Sequence, residues 1–149
     1  MHLDTEIKLN YDDVLLKPKR STLSSRKDVD MLRTFTFRNS KESYTCCPII
    51  ASNMDGVGKF SMAKVIQEYK MMTVITKITT IEQWKKAIGE GVKLKYLSVC
   101  TGTGRLWKED AEDYSTLQHV LNNYPDVKFI TIDVANGYHT NFSDFIAKI

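Results

Sequence analysis

A chain of 149 residues with 42% hydrophobic and 26% charged side chains has the composition of one globular domain with a sizeable core. Its net charge of +3 is small and interspersed, and the mildly basic stretch from Lys17 to Lys41 is broken by Asp28 and Asp30, which argues against a nucleic-acid partner. No run reaches the roughly 18 to 20 apolar residues of a membrane span, the acidic N-terminus is unlike a secretory signal, and three cysteines without CxxC or Cys/His spacing suggest neither a disulfide framework nor a zinc site.

Residues 1–47 are expected to form an arm with one short extended element. Asp28 to Phe37 alternates partially, with Val29 and Met31 and then Phe35 and Phe37 apolar, while Pro18 among basic neighbours marks a turn. From residue 48 the pattern becomes regular. Four short apolar runs, Pro48–Ser52, Met71–Thr76, Tyr96–Val99 and Lys128–Ile132, begin roughly 25 to 30 residues apart, which is βα spacing. They are rich in β-formers and mostly free of charge, as parallel strands covered on both faces should be.

Helical patterns separate the runs. Met62, Ile66 and Tyr69 fall at i, i+4, i+7, with Phe60 and Ala63 beside them. Thr80 with Gln83 fits a capping box, and Ile81, Trp84 and Ile88 form a stripe ended by Gly89 and Gly91. Acidic residues from Glu109 to Asp113 suit the first turn of a third helix, whose apolar face continues through Tyr114, Leu117 and Leu121 and ends at Pro125. Phe142, Phe145, Ile146 and Ile149 begin a fourth, and the sequence stops in mid-pattern, either as a packed terminal helix or as the first part of something longer. Residues 48–149 are thus expected to be the first half of a (β/α)8 barrel, truncated in its fourth helix. An open doubly wound sheet has the same spacing, but no GxGxxG follows the first strand.

In a barrel, chemistry sits at the C-terminal ends of the strands. Those ends read Ser52-Asn53-Met54-Asp55-Gly56, Thr76-Lys77, Cys100-Thr101-Gly102-Thr103-Gly104 and Asp133-Val134-Ala135-Asn136-Gly137. One lysine and two aspartates there suit polar ligands or proton movement. Each also has a plainer role: Asp55 as a turn residue or helix cap, Lys77 as a solvated strand end, Asp133 as a cap of the last helix, Gly102 and Gly104 as loop glycines. Cys100 has no histidine beside it in sequence and reads as a half-buried structural thiol.

The ordered set YDDVLLKPKRST (11–22), SRKDVD (25–30), FRNS (37–40), PIIASNMDGVG (48–58), Lys77, TGTG (101–104) and IDVANGY (132–138) resembles the GMP reductase branch of the IMP dehydrogenase/GMP reductase family over nearly the whole chain. An IMP dehydrogenase relative fits less well. That branch carries a different sequence at DVANGY and usually a regulatory insert after the second strand, where Thr80 here opens a helix at once. The resemblance implies NADPH-dependent reductive deamination of GMP to IMP and ammonia, in which a cysteine attacks purine C2, ammonia leaves and the nicotinamide delivers hydride. It implies that Ser25 and Arg26 contact NADP(H), across a subunit boundary, and that Asp133, Val134 and Ala135 contact it at the fourth strand. Lys77 matches a lysine working beside the cofactor and, with Asp133, handling the departing amino group. Ser52, Asn53 and Met54 would face the purine nucleotide. A cytoplasmic homo-oligomer, a tetramer in the family, is implied as well.

The chain also departs from the family. Lys77-Ile78-Thr79 stands where Lys-His-Tyr is usual, and Lys59 and Arg105-Leu106-Trp107 are uncommon. The nucleophile segment Ser-x-Cys-x-Thr, the later Gly-Gly phosphate segments and the flap with its catalytic Glu do not occur. This chain alone is therefore expected to be inactive, needing a complementing C-terminal half, or to be a non-catalytic half-barrel that associates with a full-length enzyme.

Overall fold

The computed structural model describes residues 3, 5–103, 112–147 and 149, with the backbone alone for Glu112 and Asp113. Gly104, the Arg105–Trp107 segment and the acidic residues Glu109 and Asp110 lie outside the described residues. The chain divides into two compact units, Met1–Asp30 and Met31–Ile149.

The first unit holds two single-turn 3-10 helices, Tyr11–Asp13 and Arg26–Asp28. Each is closed by a reciprocal capping box, from Asn10 with Asp13 and from Ser25 with Asp28.

The second unit opens with an antiparallel hairpin of β1 (Arg33–Thr36) and β2 (Ser43–Cys46). The extended element expected from Asp28 to Phe37 is confined to β1, and Val29 and Met31 lie before it. A four-stranded parallel sheet follows in the order β3 (Ile50–Ala51), β4 (Met72–Ile75), β5 (Leu97–Thr101) and β6 (Phe129–Ile132). Helices α1 (Phe60–Ile66), α2 (Ile81–Gly89), α3 (Glu112–Asn123) and α4 (Thr140–Ile146) alternate with the strands. This is the sequential, all-parallel βα order of a partial (β/α)8 barrel.

Strand alternation divides the sheet into two faces. Ile75, Leu97 and Val99 point to the helices and form the core with Ala63, Trp84, Ala87, Leu117, Val120 and Phe145. Trp84 is 1% exposed and meets Phe60 edge-to-face at 5.1 Å. On the opposite face the Ser98 hydroxyl lies 3.2 Å from the Phe129 carbonyl and 2.8 Å from the Thr131 hydroxyl. The inner strands β4 and β5 are buried throughout, whereas β3 and β6 are partly exposed.

The apolar stripe expected of the first helix is rotated. The α-helix tightens into a 3-10 turn at Gln67–Tyr69, leaving Tyr69 63% exposed. Ala63 is buried as expected, but Gln67 is buried in place of Tyr69, and its side-chain oxygen accepts the Lys93 N–H at 2.7 Å.

The hairpin covers one end of the sheet. Tyr44 Oη donates to the Lys95 carbonyl at 2.8 Å, and the Tyr44 and Phe37 rings meet Phe129 edge-to-face at 4.7 and 5.8 Å. Lys95 precedes β5 and Phe129 begins β6, so these contacts gather where the strands start. The ends where the strands finish are built from loops.

Candidate functional site at the strand ends

Each parallel strand places one polar side chain at its C-terminal end, and four of these side chains are drawn together in two pairs. Beyond β3 the chain folds back tightly: Val57 and Gly58 both donate to the Met54 carbonyl, at 2.9 and 2.7 Å. Gly58 is buried, and its carbonyl accepts the Thr76 N–H at 3.0 Å, which ties this loop to the end of β4. A Cβ on Gly58 would lie 2.5 Å from the Val74 carbonyl oxygen and 2.9 Å from the Asn53 Cα, so the close approach requires glycine. The loop in turn brings the half-buried Asn53 to β5, where its Nδ2 lies 3.5 Å from the Cys100 Sγ. Ser52 and Met54 are exposed beside it.

Lys77 follows β4 in a short turn closed by the Thr79 N–H on the Thr76 carbonyl at 3.1 Å. The Thr80–Gln83 capping box then starts α2, as expected. Asp133 follows β6, and its N–H donates to the Thr101 carbonyl at 2.7 Å, extending the β5–β6 ladder by one rung. The ladder holds the Asp133 carboxylate opposite the lysine, with Lys77 Nζ 3.5 Å from Asp133 Oδ2 and both side chains nearly half exposed, at 44% and 46%. Asp133 therefore does not cap the last helix. That role falls to His139, whose Nδ1 accepts the Asn141 N–H at 3.2 Å. Nor does Asp55 cap α1, which begins after Lys59 without a side-chain cap.

Cys100 is 2% exposed, more deeply buried than the sequence suggests, and belongs to this cluster. Burial pushes its thiol above the ordinary value, and the Asp133 carboxylate adds to the rise. The Asn53 amide, the Lys77 ammonium and the Lys77 backbone N–H act against it. A thiol so placed is protonated at neutral pH and is a poor nucleophile. Sequence inspection missed its position because no adjacent residue marks it. The available signal was strand alternation, which puts Cys100 on the same face as Ser98 and opposite Thr131 in register.

Val134 is half-buried and Ala135 exposed after the Asp133 rung. Ser25 and Arg26 lie in the first unit, with the Ser25 Oγ accepting the Lys27 N–H at 3.2 Å and both residues exposed. Ile78 and Thr79 line a cavity of about 420 Å³ with Lys59, Phe60 and Gln83, between α1 and α2. Among the described residues no three His, Cys, Asp or Glu side chains converge as metal ligands, and no helix is long and apolar enough to cross a membrane.

The site can do two things. An exposed ammonium–carboxylate pair can donate or accept a proton, and an amide lodged on a buried sulfur offers a carbonyl and an N–H for hydrogen bonding.

Residues 8–149 match the family described as IMP dehydrogenase / GMP reductase domain. The chain is 45% identical over 149 residues to GMP reductase 2 of Bos taurus and 44% identical over 148 residues to GMP reductase 1 of Homo sapiens. It is 42% identical over 150 residues to a GMP reductase of Shigella boydii. In each case 99% of this chain is covered, but it spans just 41% or 42% of the relative's length.

Proposed function

Because the chain belongs to the IMP dehydrogenase/GMP reductase family, we propose that it carries the N-terminal part of a GMP reductase, an enzyme converting GMP to IMP and ammonia at the expense of NADPH. The reductase branch is favoured over the dehydrogenase by relatives at 42 to 45% identity that bear the reductase name. The observation carrying the assignment is the Lys77–Asp133 pair, 3.5 Å apart and accessible at the strand ends.

In this reading Ser52, Asn53 and Met54 face the purine nucleotide. Lys77, Asp133, Val134 and Ala135, with Ser25 and Arg26 of a neighbouring subunit, hold the cofactor. NADPH, when bound, supplies a hydride. Lys77, paired with Asp133, gives a proton to the amino group as it departs, and the carboxylate stabilises the ammonium that forms. The attacking cysteine comes from residues outside this chain, since Cys46, Cys47 and Cys100 are buried and lack the flanking Ser-x-Cys-x-Thr. The working form is a cytoplasmic homo-oligomer with complete barrels.

A second reading rests on the sheet edges. Ile50 on β3 is 57% exposed and Ile130 on β6 is 38% exposed, so a half-barrel partner that joins a full-length enzyme has edges on which to do so.

The test is NADPH oxidation with GMP, measured on the 149-residue chain and on the chain supplied with a family C-terminal half. The expected result is no turnover alone and turnover on complementation. Lys77→Ala should lower the latter by about 100-fold or more. Absence of turnover on complementation would overturn the assignment; turnover by the chain alone would overturn its expected inactivity in isolation, and full activity of Lys77→Ala would overturn the role given to that lysine.

A further inference from the structure

Cys100 has no role in the chemistry above, yet its sulfur meets a group from another strand end. The Asn53 Nδ2 on the β3 loop is 3.5 Å away. The thiol's own hydrogen has the Thr101 carbonyl at 4.0 Å, a weak contact that leaves the sulfur acting chiefly as an acceptor. At 2% exposure, water does not compete for it.

Without the sulfur, this donor loses its acceptor. Asn53 has no other side-chain hydrogen bond among the described residues. Its loop is fixed by backbone bonds through Met54 and Gly58, but those bonds leave the amide group itself free to rotate. The Cys100 sulfur is therefore the point where the Asn53 side chain is referenced to β5.

We propose that Cys100 is a positioning residue, whose buried sulfur fixes the Asn53 amide at the strand ends. Its consequence for ligand binding rests on the nucleotide-site reading given above; its consequence for the amide does not. The thiol acts through its neighbours and takes no part in bond making.

The experiment compares Cys100→Ser, which keeps an acceptor, with Cys100→Val, which keeps approximate shape without one. On the full chain, the Asn53 side-chain amide NMR resonances report the geometry. In Cys100→Val they should move to the values of a solvated amide and their exchange with water should quicken about five- to tenfold, as expected for loss of one hydrogen bond. Cys100→Ser should retain most of the wild-type signal. Loss of core packing alone would affect the two variants without regard to the acceptor. Unchanged Asn53 signals in Cys100→Val, or a serine variant no better than valine, would overturn the proposal. Should valine prevent folding, Cys100→Ala provides the same comparison.

Titration with GMP and with NADPH separates this proposal from the functional one. Weaker binding in Cys100→Val, recovered in Cys100→Ser, supports both. If the wild-type chain and the chain completed with a family C-terminal half bind neither nucleotide, the nucleotide reading fails, while the NMR comparison still decides the role of the sulfur.

Discussion

Replacing Gly58 by alanine tests how the candidate site is held together. The added Cβ would lie 2.5 Å from the Val74 carbonyl oxygen, 2.9 Å from the Asn53 Cα and 3.0 Å from the Ser52 carbonyl oxygen. All three are backbone atoms, so no side chain can rotate away and the loop must lift from β4. Overpacking of this kind costs about 1–3 kcal/mol. The lift also strains the Thr76 N–H bond to the Gly58 carbonyl at 3.0 Å and the Gly58 N–H bond to the Met54 carbonyl at 2.7 Å, each contributing about 1 kcal/mol. A total near 3 kcal/mol corresponds to a fall in Tm of about 6–12 °C for a chain of this size. Gly56, two residues earlier, is the control, since a Cβ there meets nothing within 4 Å. Thermal unfolding followed by circular dichroism should therefore separate Gly58→Ala sharply from a near-neutral Gly56→Ala. A Gly58→Ala chain melting within about 1 °C of wild type, or a Gly56→Ala chain damaged as badly, would refute the close-approach reasoning.

Three further outcomes follow from the same structure. Thr80→Ala removes the capping box of α2 and should cost about 1 kcal/mol in urea unfolding; an unchanged midpoint would mean that α2 is nucleated by its Trp84 face instead. Tyr44→Phe removes the hydroxyl bond to the Lys95 carbonyl and should cost about 1 kcal/mol while leaving nucleotide affinity unchanged, because that contact lies where the strands start; altered affinity would sink this separation of ends. Alkaline pH should destabilise the chain through its buried thiols. The Cys100 and Cys46 thiols titrate above their ordinary value of 9.0 when folded, so the folded state holds protons the unfolded state gives up. Stability is thus full below pH 9.0 and declines above it. Cys100→Ser should flatten that decline, and an identical alkaline slope in Tm would show that the thiol stays out of the linkage.

The barrel units were legible because their physics is local. Uncharged β-rich runs at βα spacing, the Thr80–Gln83 cap and the Ile81–Trp84–Ile88 stripe each speak through neighbouring residues, and all three appear in the fold. The Lys77–Asp133 pair was accessible for a similar reason, since strand ends in a barrel converge whatever the loops do. The first helix was harder. A switch from α to 3-10 geometry at Gln67 leaves Tyr69 outward, and the partner of the buried Gln67 side chain, the Lys93 N–H, lies far along the chain. Cys100 was misjudged for a related reason: its burial and its Asn53 contact depend on how the β3 loop folds back over Gly58, which no periodicity encodes.

The hydroxyls of Ser98 and Thr131 satisfy one another at 2.8 Å on the face turned away from the helices. A surface that already contains its own polar partners demands none from whatever is laid over it. The remaining strands of a closed barrel can meet this wall with branched aliphatic side chains alone, without leaving these two hydroxyls stranded in a dry interior. Conversely, a polar side chain introduced opposite them would find their bonding capacity largely taken. The wall thus specifies, from one side of an interface, the kind of residue that can be buried against it.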